Sequence, residues 1–262
     1  NYYKGEPSIK NVVFQIIENA DTAILALQNG EVDAYQMTPQ QVKKLDLDAS
    51  NLSTYSYSEG RVGYLEINCN RVTDEKVRKA LLYAMDRKAM DDAAFESSEY
   101  YSIPYTFLPT NSQFYTEDGV EKYEQDVDKA KSMLEDAGVS GLKLKLGYMS
   151  SDAVQSAQAL LIQEQLKEVG VTVELAGGDG TAIANAMKDP DNEYDMYLGG
   201  YIMGIDPDTF SSLFENDGAY NYMHYSGYDT IDQLFEEGRS ELDESARKET
   251  YAKLQAAVQD TG

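Results

Sequence analysis

The sequence predicts an α/β fold with a parallel or mixed sheet flanked by helices. Segments that alternate apolar and polar residues recur between segments of helical period and length, and this order favours strands joined by helical crossovers. The clearest alternation is LKLKLGY (142–148), whose leucines share one face. Gly138 and Gly170 directly follow two helical patterns, as expected where helices end.

The start of the chain predicts a compact β-α-β unit. The apolar run NVVFQII (11–17) precedes a short helix, TAILALQN. Asp21 is the expected N-cap of this helix, and Gly30 the residue just beyond its C-terminus. A second strand is expected over 32–35, where Val, Asp, Ala and Tyr follow the helix.

Further elements are predicted before residue 125. Thr38-Pro39 opens a helix to about Leu47. Residues 52–68 alternate and are rich in Tyr, Val and Ile, which predicts two strands joined through Glu59-Gly60. Thr73 is the expected cap of one helix over DEKVRKALLYAMDRKAM (74–90).

The rest of the chain begins with an irregular crossing segment and then becomes regular. Residues 97–123 contain two prolines and no clear period, and such long segments are usually functional or packed across another domain. The elements predicted after it are a helix over 127–137, a strand over 142–148, a helix over 152–169, a strand over 171–175, a helix over 181–188, and acidic helices from Asp229 onward.

The stretch NEYDMYLGGYIMGIDPDTFSSLF (192–214) is the expected functional corner of the molecule. It begins as a strand, in which Gly199-Gly200 allows another group to approach the backbone. It then breaks and restarts as a helix with Asp206 and Asp208 at its N-terminus. A strand that ends in an open loop and leads into a helix is where α/β sheets place ligands, although an ordinary strand-turn-helix connection has the same pattern.

Composition excludes some classes of function. The chain has 46 acidic against 22 basic residues and a formal charge of −24, so phosphate backbones are repelled and nucleic acid is not an expected partner. No apolar run approaches the ~20 residues that a membrane span needs. One cysteine, Cys69, is too few for an internal disulfide or a multi-cysteine metal site. Localisation remains open on composition alone.

Two motifs resemble ligand loops but depart from them. GGDGTAI (177–183) follows a strand like a dinucleotide-binding turn, yet Ile183 stands at the third glycine and Asp179 would face the pyrophosphate. DPDNEYD (189–195) is acidic enough for calcium, but Tyr194 and Gly200 stand at the turn-glycine and bidentate-carboxylate positions. The second run is therefore expected to be a solvated loop.

Catalytic constellations are sparse. There is no GxSxG elbow, and the only histidine, His224, lies in a tyrosine-rich loop where it either touches a ligand or simply packs. Glu66 with an aspartate near 206 could in principle cleave a glycosidic bond, which keeps a secreted hydrolase as an alternative. The 21 tyrosines suit a cleft for a polar, flexible ligand, or they are core and interface residues.

Several segments, taken in order, resemble the extracytoplasmic solute-binding proteins of bacterial ABC importers, in the oligopeptide, dipeptide and nickel branch. The segment 1–37 is similar to that family's region ending in leucine-x-x-glycine-glutamate-x-aspartate, and 63–90 to its strand-Asn followed by Val-Arg-x-Ala-Leu-x-x-Ala-x-Asp-Arg. The other similar segments are 123–139, 194–214 and 228–255.

The resemblance implies a type II periplasmic-binding-protein-like lobe in a fragment of a two-lobed protein. Residues 1–60 would be the remnant of the first lobe (strand-helix-strand), residues 61–262 the second, ligand-closing lobe, and the family's closing strand would follow Gly262. It also implies an extracytoplasmic monomer, periplasmic or a lipoprotein anchored at the cell surface. Such a protein captures a peptide or small molecule and delivers it to an ABC permease without catalysis, cofactor or metal. Because half of the cleft would be absent, ligand affinity from this chain alone is expected to be poor.

Site residues follow from the resemblance by position. Tyr64 matches an aromatic that lines the cleft, and Tyr201 stands where many members place a tryptophan over the ligand. Met203 occupies the place of an aspartate that pairs with the peptide α-amino group, and Asp206 lies nearby at a different offset. The departure at Met203 leaves a sugar, a metal chelate or another small solute open beside a peptide. His224 completes the set of candidate ligand-binding residues.

Overall fold

The computed structural model describes residues 3, 5–17, 19–45, 47, 51–58, 60–95 and 97–262. It divides the chain into two compact units, Asn1–Ser56 and Tyr57–Gly262. Helices in the described part are α1 (Ala20–Gln28), α2 (Pro39–Val42), α3 (Glu75–Tyr83), α4 (Arg87–Phe95), α5 (Val127–Asp136), α6 (Ala153–Glu168), α7 (Gly180–Met187), a 3₁₀ helix (Pro207–Phe210), α8 (Ser211–Phe214), α9 (Asp229–Ser240) and α10 (Glu244–Gln259). Strands are β1 (Val62–Ile67), β2 (Lys143–Met149), β3 (Thr172–Gly178) and β4 (Met196–Tyr201). No helix within these ranges is long and apolar enough to span a bilayer.

The predicted β-α-β unit of the first compact unit is wrong in its strands. Helix α1 forms as expected and ends before Gly30 at φ +72°, but Asn19 caps it instead of Asp21, accepting from the Thr22 N–H at 2.9 Å. Residues 11–17 and 32–35 carry no strand. A strand needs a hydrogen-bonded neighbour, and none pairs with these segments among the described residues. Phe14 and Ile16 are accordingly 91 % exposed.

Two other predictions before residue 70 are partly wrong. Helix α2 starts after Thr38 in a capping box with Gln41, as its Thr-Pro start predicts, but it ends at Val42 rather than near Leu47. Only one of the two strands predicted over 52–68 forms, as β1. Residue 59 of the predicted turn lies outside the described residues.

The predicted mixed sheet is confirmed in the second unit. Its order is β1-β4-β2-β3, with β1 antiparallel to β4 and β2 parallel to both β4 and β3. Helices α5 and α6 lie between strands at their predicted places, each followed by a glycine with positive φ, Gly138 at +69° and Gly170 at +81°. In the strand order given above, β1 stands at an edge of the sheet.

The two faces of the sheet pack against different apolar clusters. Ile67, Met196 and Leu198 belong to a core with α3, α5 and α6. Tyr64 and Tyr201 lie against a second cluster built from the crossing segment, α8, α9 and α10. The split follows from the alternation of side chains along each strand.

The single helix predicted over 74–90 is two helices. Asp74, not Thr73, caps α3 by accepting from the Lys76 N–H at 2.8 Å. The helix ends at Tyr83, and the Asp86 carboxylate then accepts from the Ala89 N–H at 2.9 Å to start α4. The Asp86 N–H is taken by the Gln165 side chain of α6 at 3.0 Å, so a tertiary contact holds the break.

The acidic run 189–195 is not simply a solvated loop. Asp195 is 8 % exposed and accepts from Arg71 Nε and from the Lys145 N–H, both at 2.7 Å. The Asp195 carbonyl accepts from the Asn68 N–H at 2.9 Å. Asp195 thus joins the end of β1, strand β2 and the start of β4 through its side chain and its backbone carbonyl, and these partners offset the cost of burying its polar atoms.

The crossing segment and the last helices agree with prediction. No helix or strand occurs between residues 97 and 126. The chain from Asp229 onward folds as α9 and α10.

Candidate functional site

One face of the β1–β4 pair carries a group of tyrosines around a carboxylate. Tyr64 lies opposite Gly199 and Glu66 lies opposite Tyr197, so their side chains share a face with Tyr201. This places aromatic rings on both strands beside one acidic side chain.

Tyr64 and Tyr201, two of the predicted ligand-binding residues, lie beside each other. Their ring centroids are 5.8 Å apart at an interplanar angle of 46°. The Tyr64 hydroxyl donates to the Phe107 carbonyl at 2.6 Å, which ties β1 to the crossing segment. Burial, and then the nearby Glu66, raise the pKa of Tyr64 well above its usual value, so this phenol stays a donor.

Glu66 is the exceptional group of this face. The residue is 3 % exposed, and neither carboxylate oxygen makes a hydrogen bond of good geometry within the described residues, although the Tyr201 hydroxyl acts on the carboxylate as a donor. Burial raises the pKa of Glu66 to about 8, against a smaller opposing effect of the Tyr201 hydroxyl. Buried polar groups are nearly always hydrogen-bonded, so an unpartnered carboxylate requires an explanation.

The glycine pair in β4 allows close approach, as predicted, and the approaching groups come from the chain itself. A Cβ at position 199 would lie 2.6 Å from Glu66 Oε1, and one at position 200 would lie 2.4 Å from Arg61 Nη2. Gly199 therefore makes room for the buried carboxylate.

A cavity of about 270 Å³ lies beside β1. Its lining includes Tyr64, Glu66 and Tyr201 from the sheet, and Phe107 from the crossing segment. Apolar walls with a few converging polar groups are typical of small-ligand sites. The crossing segment thus supplies part of the wall of the candidate site, and its functional role stays a prediction.

The other predicted site residues do not line this cavity. Met203 packs against the second apolar cluster. Asp206 caps the 3₁₀ helix and accepts from Arg247 Nη2 at 3.1 Å. His224 sits in a left-handed backbone conformation at φ +51°, with its ring Nε2 3.5 Å from Asn192 Nδ2.

The carboxylate pair considered for hydrolysis is not assembled at the cavity. Glu66 lines it, whereas Asp206 does not and is paired with Arg247. The sequence pointed to Glu66 only as one of many acidic residues. The sequence signal that distinguishes Glu66 is its position as the single acidic residue of the apolar strand VGYLEI. Acidic residues are rarely fully buried without a partner, so one inside a buried strand indicates an unusual environment.

No group of three or more acidic, histidine or cysteine side chains is arranged to hold a metal within the described ranges.

Comparison with known proteins places this geometry in context. Residues 1–222 match the model of the bacterial extracellular solute-binding proteins, family 5 middle. Among curated relatives, the chain is 26 % identical to the oligopeptide-binding protein AppA of Bacillus subtilis, covering 97 % of this chain and 49 % of the relative. It is also 26 % identical to the dipeptide-binding protein of Escherichia coli, covering 99 % of this chain and 50 % of the relative.

Solved structures agree with the sequence relatives. The crystal structure of CtaP, an ABC transporter substrate-binding protein from Listeria monocytogenes, superposes with a TM-score of 0.91 at 37 % identity and covers 99 % of this chain and 54 % of CtaP. The chain thus spans about half the length of the proteins it matches, and its α/β architecture is that of type II periplasmic binding proteins, as the resemblance implied.

Proposed function

The chain belongs to the bacterial extracellular solute-binding proteins of family 5, and we propose that it forms the ligand-closing part of a receptor for a peptide or similar small solute. The observation that carries this proposal is the family match across residues 1–222. The sheet face with Tyr64, Tyr201 and the adjoining cavity supports it, because solute recognition needs a concave surface with few polar groups.

The proposed recognition surface begins at Tyr64 and Tyr201. Tyrosine rings offer flat apolar area with a polar tip, which suits a flexible polar ligand. Met203, Asp206 and His224 stay predicted ligand contacts outside the cavity lining. The division into a first-lobe part (1–60) and a second-lobe part (61–262) also stays a prediction, as does closure of two lobes on the ligand.

The proposed setting is outside the cytoplasmic membrane, with delivery of the solute to an ABC permease and no catalytic step. The matched relatives are named as binding proteins and not as enzymes. A monomer is proposed, since a receptor that closes around one ligand needs no second copy.

Mass spectrometry of the protein purified natively from its source tests the proposal. We expect denaturation of the native sample to release a small solute. A control sample that was unfolded in denaturant, freed of small molecules and refolded should release none. The stripped protein should regain thermal stability when the solute is returned, because a ligand bound only to the folded state stabilises it. Absence of any retained solute, together with no thermal shift against peptide mixtures, would contradict a receptor.

A further inference from the structure

The Glu66 carboxyl group lies directly beside the proposed recognition surface. Glu66 is opposite Tyr197 in the β1–β4 pair, and its Oε1 atom lies 2.6 Å from where a Cβ at position 199 would stand. Positions 197, 199 and 201 of β4 point to the same face of the sheet, because side chains alternate along a strand. The carboxyl group therefore lies over Gly199, the residue that separates Tyr197 from Tyr201 on this face.

Glu66 reaches a bound solute only through Tyr201. Both carboxylate oxygens are shielded from solvent. The Tyr201 hydroxyl acts on this carboxylate as a hydrogen-bond donor, and that bond favours the ionised form of Glu66. Tyr201 is half-buried and lines the cavity beside β1. A change at Glu66 is therefore passed to the recognition surface by the Tyr201 side chain.

We propose that Glu66 is a positioning residue, which holds the Tyr201 hydroxyl so that the Tyr201 ring stays beside Tyr64. This inference rests on the proposed function and adds a residue to its site. Tyr64 is fixed independently, since its hydroxyl donates to the Phe107 carbonyl at 2.6 Å. The Tyr201 hydroxyl makes no such bond to a backbone carbonyl within the described ranges. The 5.8 Å separation of the two ring centroids therefore depends on Glu66.

The strength of this contact depends on one proton. The titratable groups that face Glu66 from β1, β4 and the loop between α8 and α9 are the hydroxyls of Tyr64, Tyr197, Tyr201 and Tyr222. Burial raises the pKa of each hydroxyl, whereas the pKa of Glu66 is about 8, so between about pH 6 and 9 only Glu66 of this set changes charge. A hydroxyl bonds more strongly to a carboxylate than to a neutral carboxyl group, so ionisation of Glu66 tightens its hold on Tyr201.

Carbon-13 NMR of the chain labelled at its glutamate carboxyls and tyrosine Cζ atoms tests this without any added solute. We expect the Tyr201 Cζ signal to shift with pH and to share the midpoint of the Glu66 carboxyl signal, near pH 8. Contacts between the Tyr64 and Tyr201 rings, measured by the nuclear Overhauser effect, should strengthen through the same midpoint. A Tyr201 signal with no inflection at the Glu66 midpoint would overturn the proposal, and this result needs no variant to fold.

Two matched variants remove one hydroxyl each from the tyrosines that flank Gly199. Tyr201→Phe should raise the pH midpoint of Glu66, because the bond that favours its ionised form is lost. Tyr197→Phe should leave that midpoint near the parent value. Equal midpoints in the two variants would contradict a specific contact with Tyr201.

A third variant separates positioning from packing. Glu66→Gln keeps a side-chain acceptor but cannot ionise, so it should keep the contact between the Tyr64 and Tyr201 rings and lose its pH dependence. A Tyr201 shift near pH 8 that persists in Glu66→Gln would overturn the proposal. If the native protein retains a solute while Tyr201 ignores Glu66, the receptor assignment stands and the positioning role fails.

Discussion

At the scale of single residues, burial opposes ionisation of the Glu66 carboxylate. Glu66 lies in an apolar strand, opposite Tyr197, with its carboxylate against the backbone of Gly199. Because its surroundings cannot solvate a charge, the neutral form is favoured in the folded protein. This preference links folding stability to pH.

We predict that stability falls as the pH rises from about 4.5 to about 8. The pKa of Glu66 is about 8 in the folded protein against a usual value of 4.5. Between these pH values the folded protein keeps the Glu66 proton, whereas the unfolded chain has already lost it. The stabilisation is complete below the unfolded pKa and is lost as the pH passes through the folded one, with a slope of up to ~1.4 kcal/mol per pH unit. Urea unfolding at a series of pH values measures it.

The matched variant for this prediction is Glu66→Gln. It should flatten the decline in that pH range, whereas Glu168→Gln, exposed on α6, should keep it. A parent profile with no slope attributable to residue 66 would mean that the carboxyl is solvated in solution.

At the scale of elements, Arg78 holds the start of α3 and the chain after α10 together. It is 2 % exposed and donates to the carbonyls of Val72 and Thr73 at 3.0 and 3.1 Å. It also donates to the carbonyls of Thr261 and Gly262, both at 2.9 Å. The Val-Arg-x-Ala-Leu motif that carries the resemblance is therefore structural at its arginine, since a guanidinium can satisfy several carbonyls at once.

Arg78→Met is predicted to destabilise the chain by about 3 kcal/mol or more, because several buried carbonyls lose their donor. Chemical denaturation measures the loss. Lys79→Met is the neighbouring control. Its ion pairs with Glu75 and Asp260 involve exposed carboxylates, so removing them should cost less than about 1 kcal/mol. Equal effects of the two variants would argue against the carbonyl cluster.

The 3₁₀ helix after β4 depends on its cap. Asp206 accepts from the Asp208 N–H at 3.0 Å and from Arg247 at 3.1 Å. Asp206→Ala should cost about 1 kcal/mol and speed hydrogen exchange over 207–214, because the first turn loses its acceptor. Asp206→Asn keeps the acceptor and loses only the partly exposed ion pair, so its exchange should stay near the parent rate. Faster exchange in both variants would assign the effect to Arg247 instead.

At the scale of the whole molecule, the candidate binding surface is one face of the β1–β4 pair together with the adjoining part of the crossing segment. We predict that this chain by itself binds peptides weakly, with a Kd of ~1 mM or above, because a single wall removes little of a ligand from water. Calorimetry with short peptides checks this. Micromolar binding by residues 1–262 would show that the face is a complete site and that the two-lobe assignment is wrong.

The chain by itself determined those elements whose signals are local. The helices α5 and α6, each ending before a glycine, and the alternating strand β2 follow from propensity, capping and period over short windows. The mixed sheet follows from their order, and the family follows from motifs that are local in sequence.

Tertiary structure decided what depends on distant partners. The apolar run 11–17 has strand composition but no neighbour to pair with among the described residues, and the helix predicted over 74–90 divides where Gln165 takes the Asp86 N–H. Asp195 is buried with hydrogen bonds from Arg71 and the Lys145 N–H, whereas no N–H group of the described residues donates to the buried Glu66 oxygens. Both are acidic residues beside apolar ones in the sequence. Only packing determines which of them receives backbone and arginine hydrogen bonds, because burial and partnership arise between residues far apart in the chain.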